Sequence, residues 1–424
     1  MSNRPVIAYL GMTHLGLCSG IAAASKGFTT IGFDRDPALV ARIDGGTLPV
    51  IEPGLDALFA EHRERLSFTS DPAALAQCDV LYVAPDVPTD DRGGSDYSTL
   101  DPLLAIALAN ARADATVVIL SQVAPGYTRA NQPASGLLYY QVETLVFGRA
   151  VERATRPERF MVGCPDPSRP LPAAVRTYLE AFGCPIMPMR LESAELAKIA
   201  INCCLVASVT VANTLAELCE NVGADWSDIA PALKLDKRIG AFAYLSPGLG
   251  IAGGNLERDL ATVLRFSEAH GTDASVIRAF LTNSSHRKGW ALRTLHTALL
   301  ADAPDARLGV LGLTYKEDTH SVKNSPSLAL LPLLAPWPVQ VYDPAIPPPA
   351  TIAHPAVTGA GSALDAARGV DALVIMTPWA EFRSLQPGAL AGVMRGKLVL
   401  DPFRVLDGNA ARAAGLEYRT LGVN

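Results

Sequence analysis

The sequence predicts an α/β protein with two Rossmann-like, doubly wound parallel-sheet domains joined by a long central helix and a helical dimerisation region. Three observations carry this expectation. Short apolar, β-branched runs alternate with helical patterns in the first third of the chain. The same alternation returns in the last third. One long apolar segment of helical length lies between them. Strand–helix alternation at this spacing makes βαβ units, and βαβ units make parallel sheets.

Taken in order, Val6–Leu10, Thr29–Phe33, Val80–Val83 and Thr116–Leu120 read as buried strands. Ser19–Lys26 and Pro37–Asp44 read as helices between them. Ala194 to about Cys219 reads as a single helix, apolar nearly all round and therefore expected to be buried as a spine. Its most apolar part, Ile199–Ala212, is interrupted by Asn202, Ser208 and Thr210, which fits a core helix better than a membrane span. Arg307–Leu311, Val339–Tyr342, Ala372–Met376 and Lys397–Leu400 are the strands of the last third. Pro185–Pro188 and Pro344–Pro349 are expected as turns or loops. The two α/β regions look like a loose pseudo-repeat whose residues do not match. The expected domains are 1–190, a cofactor-binding Rossmann domain; 191–300, a helical dimerisation and active-site region; and 301–424, a second Rossmann-like domain.

Composition narrows the function. The 424 residues are enough for two to four domains. With 49% apolar and 18% charged residues, large cores are expected. A formal net charge of −6 argues against a nucleic-acid-binding face. The N-terminal apolar run is too short for a signal-peptide core or a membrane anchor, so a reducing cytoplasm is the expected setting. The seven cysteines are scattered, with no CxxC pair, which argues against a zinc cage or a disulfide framework. The histidines have no metal-ligand spacing. The aspartates Asp86, Asp90, Asp91 and Asp96 read as a solvated loop beside Gly93 and Gly94. No metal is expected.

The segment Gly11-Met-Thr-His-Leu-Gly16 follows a strand and opens a helix. Such a turn brings backbone N–H groups and a helix N-terminus to a pyrophosphate. Thr13 occupies the position where glycine permits the closest approach; its hydroxyl is itself a potential partner for an oxygen. His14 and Leu15 complete the loop. Asp34 ends the next strand about twenty residues on, where a ribose 2′-hydroxyl acceptor is needed. A carboxylate there repels a 2′-phosphate, so NAD is expected over NADP, although Arg35 stands beside it.

Many further motifs occur in order. They include Leu48-Pro-Val-Ile-Glu-Pro-Gly-Leu55, Ser121-Gln-Val-Ala-Pro-Gly126, Pro157-Glu-Arg-Phe-Met-Val-Gly163 and Glu195-Leu-Ala-Lys-Ile-Ala-Ile-Asn202. Leu218-Cys-Glu-Asn-Val-Gly-Ala-Asp225, Asp236-Lys-Arg-Ile-Gly240 and Pro247-Gly-Leu-Gly250 follow. Gly312-Leu-Thr-Tyr-Lys316, Asn324-Ser-Pro326, Tyr342-Asp-Pro344 and Thr377-Pro-Trp379 complete the set. On these segments the chain resembles the UDP-glucose/GDP-mannose (nucleotide-sugar) dehydrogenase family over nearly its whole length. The resemblance implies a homodimer that oxidises a sugar primary alcohol to an acid in two NAD-dependent steps. A cysteine in a G-G-x-C-F-P-K-D segment captures the intermediate aldehyde as a thioester. The resemblance also makes 301–424 the nucleotide-sugar (UDP)-binding domain and places Ser121, Gln122 and Pro88 near the cofactor.

Two departures stand out. Aligned from Pro247 to Asp259, the cysteine position is Asn255, and a carboxamide is no nucleophile. Cys203 and Cys204 directly follow Asn202 but read as core residues. In Gln141-Val-Glu-Thr-Leu-Val-Phe-Gly148, Glu143 matches the first glutamate of the family's N-P-E-F-L-R-E-G. Phe147 replaces the second, which helps activate water. The rest of the implied machinery is present. Lys198 and Asn202, at i,i+4, share a helix face. With Asp259 they match the group that holds the reacting oxygen and a water. Arg238, Gly250, Lys316 and Lys323 match substrate-binding positions, with Lys323 standing where arginine is usual.

The expectation is an NAD-dependent oxidoreductase for a nucleotide sugar or related nucleoside derivative, lacking the thioester step. A single oxidation to an aldehyde, oxidation of a ring hydroxyl to a ketone, and epimerisation with retained NAD all fit. One alternative is a non-catalytic nucleotide-binding homologue, favoured by Thr13 and by Ala84-Pro-Asp-Val-Pro88, where the family has V-G-T-P. In that reading Lys198, Glu195 and Asp259 are a structural ion network. Another alternative is acid formation through a hydrated aldehyde. Nucleic acid and membrane are not expected partners.

Overall fold

The computed structural model describes residues 4–88, 90, 94–347 and 356–423. The chain divides into two compact units, Met1–Ile201 and Asn202–Asn424. Of the expected features, Asp91, Gly93 and the end of the Pro344–Pro349 stretch lie outside the described residues.

The first unit holds an eight-stranded sheet. Its strands are β1 (Ile7–Leu10), β2 (Thr30–Phe33), β3 (Leu66–Thr69), β4 (Val80–Val83), β5 (Thr116–Ile119), β6 (Leu138–Gln141), β7 (Phe160–Cys164) and β8 (Ile186–Arg190). The spatial order is β3-β2-β1-β4-β5-β6-β7-β8. β1, β2, β4 and β5 are buried at every residue, which is why they read as continuous apolar runs. Pairing is parallel except between β6 and β7, so β7 and β8 run against the other six. β8 corrects the expectation of a loop at Pro185–Pro188. Pro188 is a residue of this edge strand, where a missing N–H costs no ladder bond to a further strand.

The central helix, Leu191–Val222, starts directly after β8. Gly163 on β7 lets it approach, because an added Cβ would sit 3.1 Å from the Leu191 Cα. Leu191 and Ala194 join the sheet core. Further along, Ala212, Ala216 and Cys219 pack with Trp226 and Leu245 in the second unit. The expectation that this helix is buried all round is not met. Val211, Leu215, Leu218 and Val222 are exposed, at a spacing that forms one stripe. By length and composition this helix is also apolar enough to cross a membrane. Its packing into both cores is that of a core helix.

The second unit holds a six-stranded, wholly parallel sheet. Its strands are β9 (Leu308–Leu311), β10 (Val339–Tyr342), β11 (Val357–Gly359), β12 (Ala372–Ile375), β13 (Leu398–Leu400) and β14 (Glu417–Arg419). They lie in the order β11-β10-β9-β12-β13-β14. Counted from its own first strand this is 3-2-1-4-5-6, the order of the first six strands of the other sheet. The chain end is tied to the helical part of the same unit. Trp226 N–H donates to the Gly422 carbonyl at 2.8 Å, and Gly422 N–H donates to Glu220 at 2.9 Å.

Candidate active site

In the first unit the strand order reverses between β1 and β4, and ligands of doubly wound sheets bind at such a point. Gly11 follows β1 with φ +95°, and an added Cβ would meet the Pro85 nitrogen at 2.9 Å. A Cβ on Gly16 would lie 2.0 Å from the Gly11 carbonyl oxygen. Both positions require glycine because the turn packs against backbone at Pro85, Ala84 and Gly11 itself, and this tight turn into a helix is the form that receives a dinucleotide pyrophosphate. The helix His14–Ser25 opens three residues past Gly11, with Leu15 buried in its first turn. Asp34, after β2, is half-buried and accepts from Met12 N–H at 2.8 Å and from Asp36 N–H at 3.0 Å. Its position suits a ribose hydroxyl. Arg35 and Pro88 are exposed, and Gln122 is half-buried. Ser121 is fully buried and donates to the Pro85 carbonyl at 2.5 Å.

The loop's other side chains are already engaged. Thr13 Oγ1 accepts from Asp86 N–H at 2.8 Å, and His14 N–H donates to the Asp86 carboxylate at 2.9 Å. The His14 ring bonds Glu52 at 2.8 Å and packs 4.1 Å from the Phe147 ring. Glu52 also accepts from Gly148 N–H and Ala150 N–H. Phe147 therefore braces the loop after β1. Glu52 lies in the segment Leu48–Leu55, and nothing in its local sequence marks it as the partner of His14.

The first unit also holds a largely buried ion pair. Lys198 Nζ lies 3.2 Å from Glu143 Oε2, with both side chains mostly buried. Glu195, one turn earlier, takes no part in an ion network with Lys198. Its two oxygens accept from Gly126 N–H at 2.6 Å and Thr128 N–H at 2.8 Å. Glu195 thus caps the short helix Tyr127–Ala130, and burial pushes its carboxyl up.

In the second unit Asn202 donates to Asp259 at 2.5 Å, and Arg258 reaches the other Asp259 oxygen at 3.3 Å. All three are buried. Burial, then the Asp259 charge, pushes the Cys203 thiol up to about 11. Cys203 packs against Val206, Ile251, Leu260 and Ile277, so it is a core thiol. Cys204 is exposed. Asn255 is exposed and is the first residue of the helix Asn255–His270, where a cysteine would receive thiolate stabilisation from the helix N-terminus. Gly250 has φ +85°, and a Cβ there would strike the Ser284 carbonyl at 2.5 Å.

Glu257 is the functional candidate that sequence reasoning missed. It stands at the proline position of the G-G-x-C-F-P-K-D pattern, and that departure was the available signal. Lys288 Nζ donates to it at 3.0 Å, and the Asn324 amide donates to its other oxygen. Asn324 also donates to the Gly253 carbonyl at 2.8 Å, and Gly253 N–H donates to the Lys323 carbonyl at 3.1 Å. The segment around Asn255 is thereby tied to the loop after β9. Lys316, on that loop, lies over the Tyr315 ring at 5.8 Å. Arg238 is highly exposed and is held by Asp236 two residues away. Among the described residues no three His, Cys, Asp or Glu side chains are grouped to hold a metal ion.

Comparison with known proteins matches this architecture. Three models of the UDP-glucose/GDP-mannose dehydrogenase family match in order: the NAD binding domain over residues 6–174, the central domain over 192–285 and the UDP binding domain over 309–408. The chain is 30% identical to the UDP-glucose 6-dehydrogenase of Rhizobium meliloti (strain 1021), covering 98% of this chain and 99% of that one. It is 27% identical to UDP-glucose 6-dehydrogenase TuaD of Bacillus subtilis (strain 168), covering 98% and 93%. Among solved structures, a UDP-glucose dehydrogenase from Pyrobaculum islandicum superposes with a TM-score of 0.85 at 26% identity, covering 100% and 99%. A UDP-D-ManNAc dehydrogenase from Pyrococcus horikoshii shares the fold, with a TM-score of 0.83 at 23% identity, covering 98% and 99%.

Proposed function

The chain belongs to the UDP-glucose/GDP-mannose dehydrogenase family, with NAD as cofactor, and from that premise we propose that it moves a hydride on a nucleotide sugar without a thioester step. The product is an aldehyde or ketone, or an epimer when the hydride returns. The observation that carries this reading is the start of the helix at Asn255, where the family's nucleophile would stand. Cys203 is no substitute, because a thiol pushed up to about 11 is protonated at neutral pH.

Bound NAD supplies a hydride acceptor. The turn that Gly11 and Gly16 allow would hold its pyrophosphate, and Asp34 would accept from a ribose hydroxyl. Lys198 stabilises an alkoxide on the substrate while Glu143 holds its ammonium in place. Asn202 and Asp259 orient the reacting oxygen or accept its proton. Arg238, Gly250, Lys316 and Lys323 belong to substrate binding, and Asn255 offers an amide to a sugar hydroxyl. The exposed stripe of Val211, Leu215, Leu218 and Val222 supports a homodimer. The seven free cysteines fit a reducing cytoplasm.

The test is incubation with a panel of nucleotide sugars and NAD, reading NADH per sugar and product mass. One NADH per sugar, or none with an inverted stereocentre, supports the proposal. Two NADH per sugar, or an acid product, would sink both the one-step and the epimerase readings. The second reading, a binding homologue, draws on Asp86 at the His14 N–H. Unchanged substrates in a protein that binds NAD would favour it.

A further inference from the structure

Two departures in the dinucleotide loop form one feature. In a dinucleotide-binding turn, the N–H groups that open the first helix point at the pyrophosphate. Here the N–H of His14, the first helical residue, donates to the Asp86 carboxylate at 2.9 Å. Thr13, at the position where glycine is usual, accepts the Asp86 N–H on its hydroxyl at 2.8 Å. The contact is reciprocal. Residues 13 and 14 grip Asp86 by its main chain and its side chain together.

The backbone that presents Asp86 is well fixed. Ala84 N–H donates to the Leu10 carbonyl at 2.8 Å, continuing the pairing of β4 with β1. Pro85 fills the space that Gly11 leaves, and its carbonyl accepts from the buried Ser121 hydroxyl. Asp86 is exposed as a residue, yet burial against the loop pushes its carboxyl up, so turning the side chain out to solvent relieves that desolvation. The loop keeps its shape in that event, because the His14 ring is held by Glu52 and Phe147.

We propose that Asp86 is an internal anion at the pyrophosphate position, which NAD must displace, so that this residue sets cofactor affinity. A carboxylate and a pyrophosphate repel each other and compete for one helix N-terminus. Asp86 turns outward when cofactor enters and returns when it leaves. The proposal rests on the assignment of NAD to this unit.

The full-length protein and its Asp86→Asn and Asp86→Ala variants are titrated with NAD, ADP-ribose and adenosine by calorimetry. Both variants should bind NAD and ADP-ribose about tenfold more tightly, the scale of one hydrogen bond to a charged group. Adenosine, which lacks the pyrophosphate, should bind all three proteins alike. Unchanged or weaker binding of NAD and ADP-ribose in both variants overturns the proposal. Equal tightening for adenosine overturns it too, since the effect would then lie outside the pyrophosphate position. If no form, wild type included, binds NAD or ADP-ribose, the cofactor assignment itself falls.

Discussion

The two sheets solve the same problem twice and then diverge. Gly11 follows β1 and Gly312 follows β9, with φ +95° and +93°. Each packs against the residue two places beyond the neighbouring crossover strand, Pro85 in one unit and Thr377 in the other. Each is followed by an N–H that donates to the aspartate after the second strand: Met12 to Asp34, and Leu313 to Asp343. The pseudo-repeat is therefore real at these residues, although the intervening sequence hides it. The difference lies in what comes next. In the first unit a helix opens three residues past the glycine; in the second, the next helix starts at Pro326, fourteen residues past it. Asp34 is half-buried, with two backbone donors, whereas Asp343 is buried and accepts from Leu313, Thr314, Ala345 and Ile346 N–H groups and from the Trp379 indole. One unit sets a helix N-terminus, met by Asp86, and a half-buried carboxylate beside its glycine. The other consumes its carboxylate internally and presents a long loop carrying Tyr315, Lys316 and Lys323. Shared topology fixes where a ligand binds; the segment after the glycine decides which ligand.

The largest expected effect tests the chemistry of the first unit. Lys198→Ala should lower kcat by about 100- to 1,000-fold while the circular dichroism spectrum stays unchanged. Normal turnover would remove Lys198 from the reaction. The two aspartates come next. Asp343→Ala should cost about 2–4 kcal/mol in urea unfolding, because several buried donors lose their acceptor. Asp34→Ala should cost about 1 kcal/mol or less while weakening NAD binding roughly tenfold. Equal destabilisation by the two would erase the distinction between an open and a consumed carboxylate. The glycines are a matched pair: Gly11→Ala and Gly312→Ala should each lose about 2–4 kcal/mol, from positive φ plus overpacking. A mild effect at either one would mean that the two turns are not equivalent. Asn255→Cys should leave NADH yield unchanged, since Phe147 stays packed against His14; a doubled yield would show the cysteine to be the only missing part. The smallest effect concerns Cys203. Its alkylation by iodoacetamide should be slow at neutral pH and accelerate as pH rises toward about 11, because only the thiolate reacts. Fast labelling at pH 7 would reopen it as a nucleophile.

Local pattern was enough to locate the individual elements. Periodicity and β-branching located eight of the strands to within a residue at each end, and glycine sterics marked the turn at Gly11. The absence of a cysteine at position 255 needed no coordinates. Tertiary structure alone decided which charges meet. Lys198 finds Glu143 across 55 residues, Asn202 finds Asp259 across 57, and His14 finds Asp86 across 72. It also turned Pro185–Pro188 from an expected loop into the start of an edge strand, and exposed one stripe of a helix that reads as buried. The physical reason is one of range. Backbone conformation follows from neighbours within a few residues, so it is written locally. The partner of a polar side chain is set by how distant strands and helices pack, and several carboxylates were present to choose from.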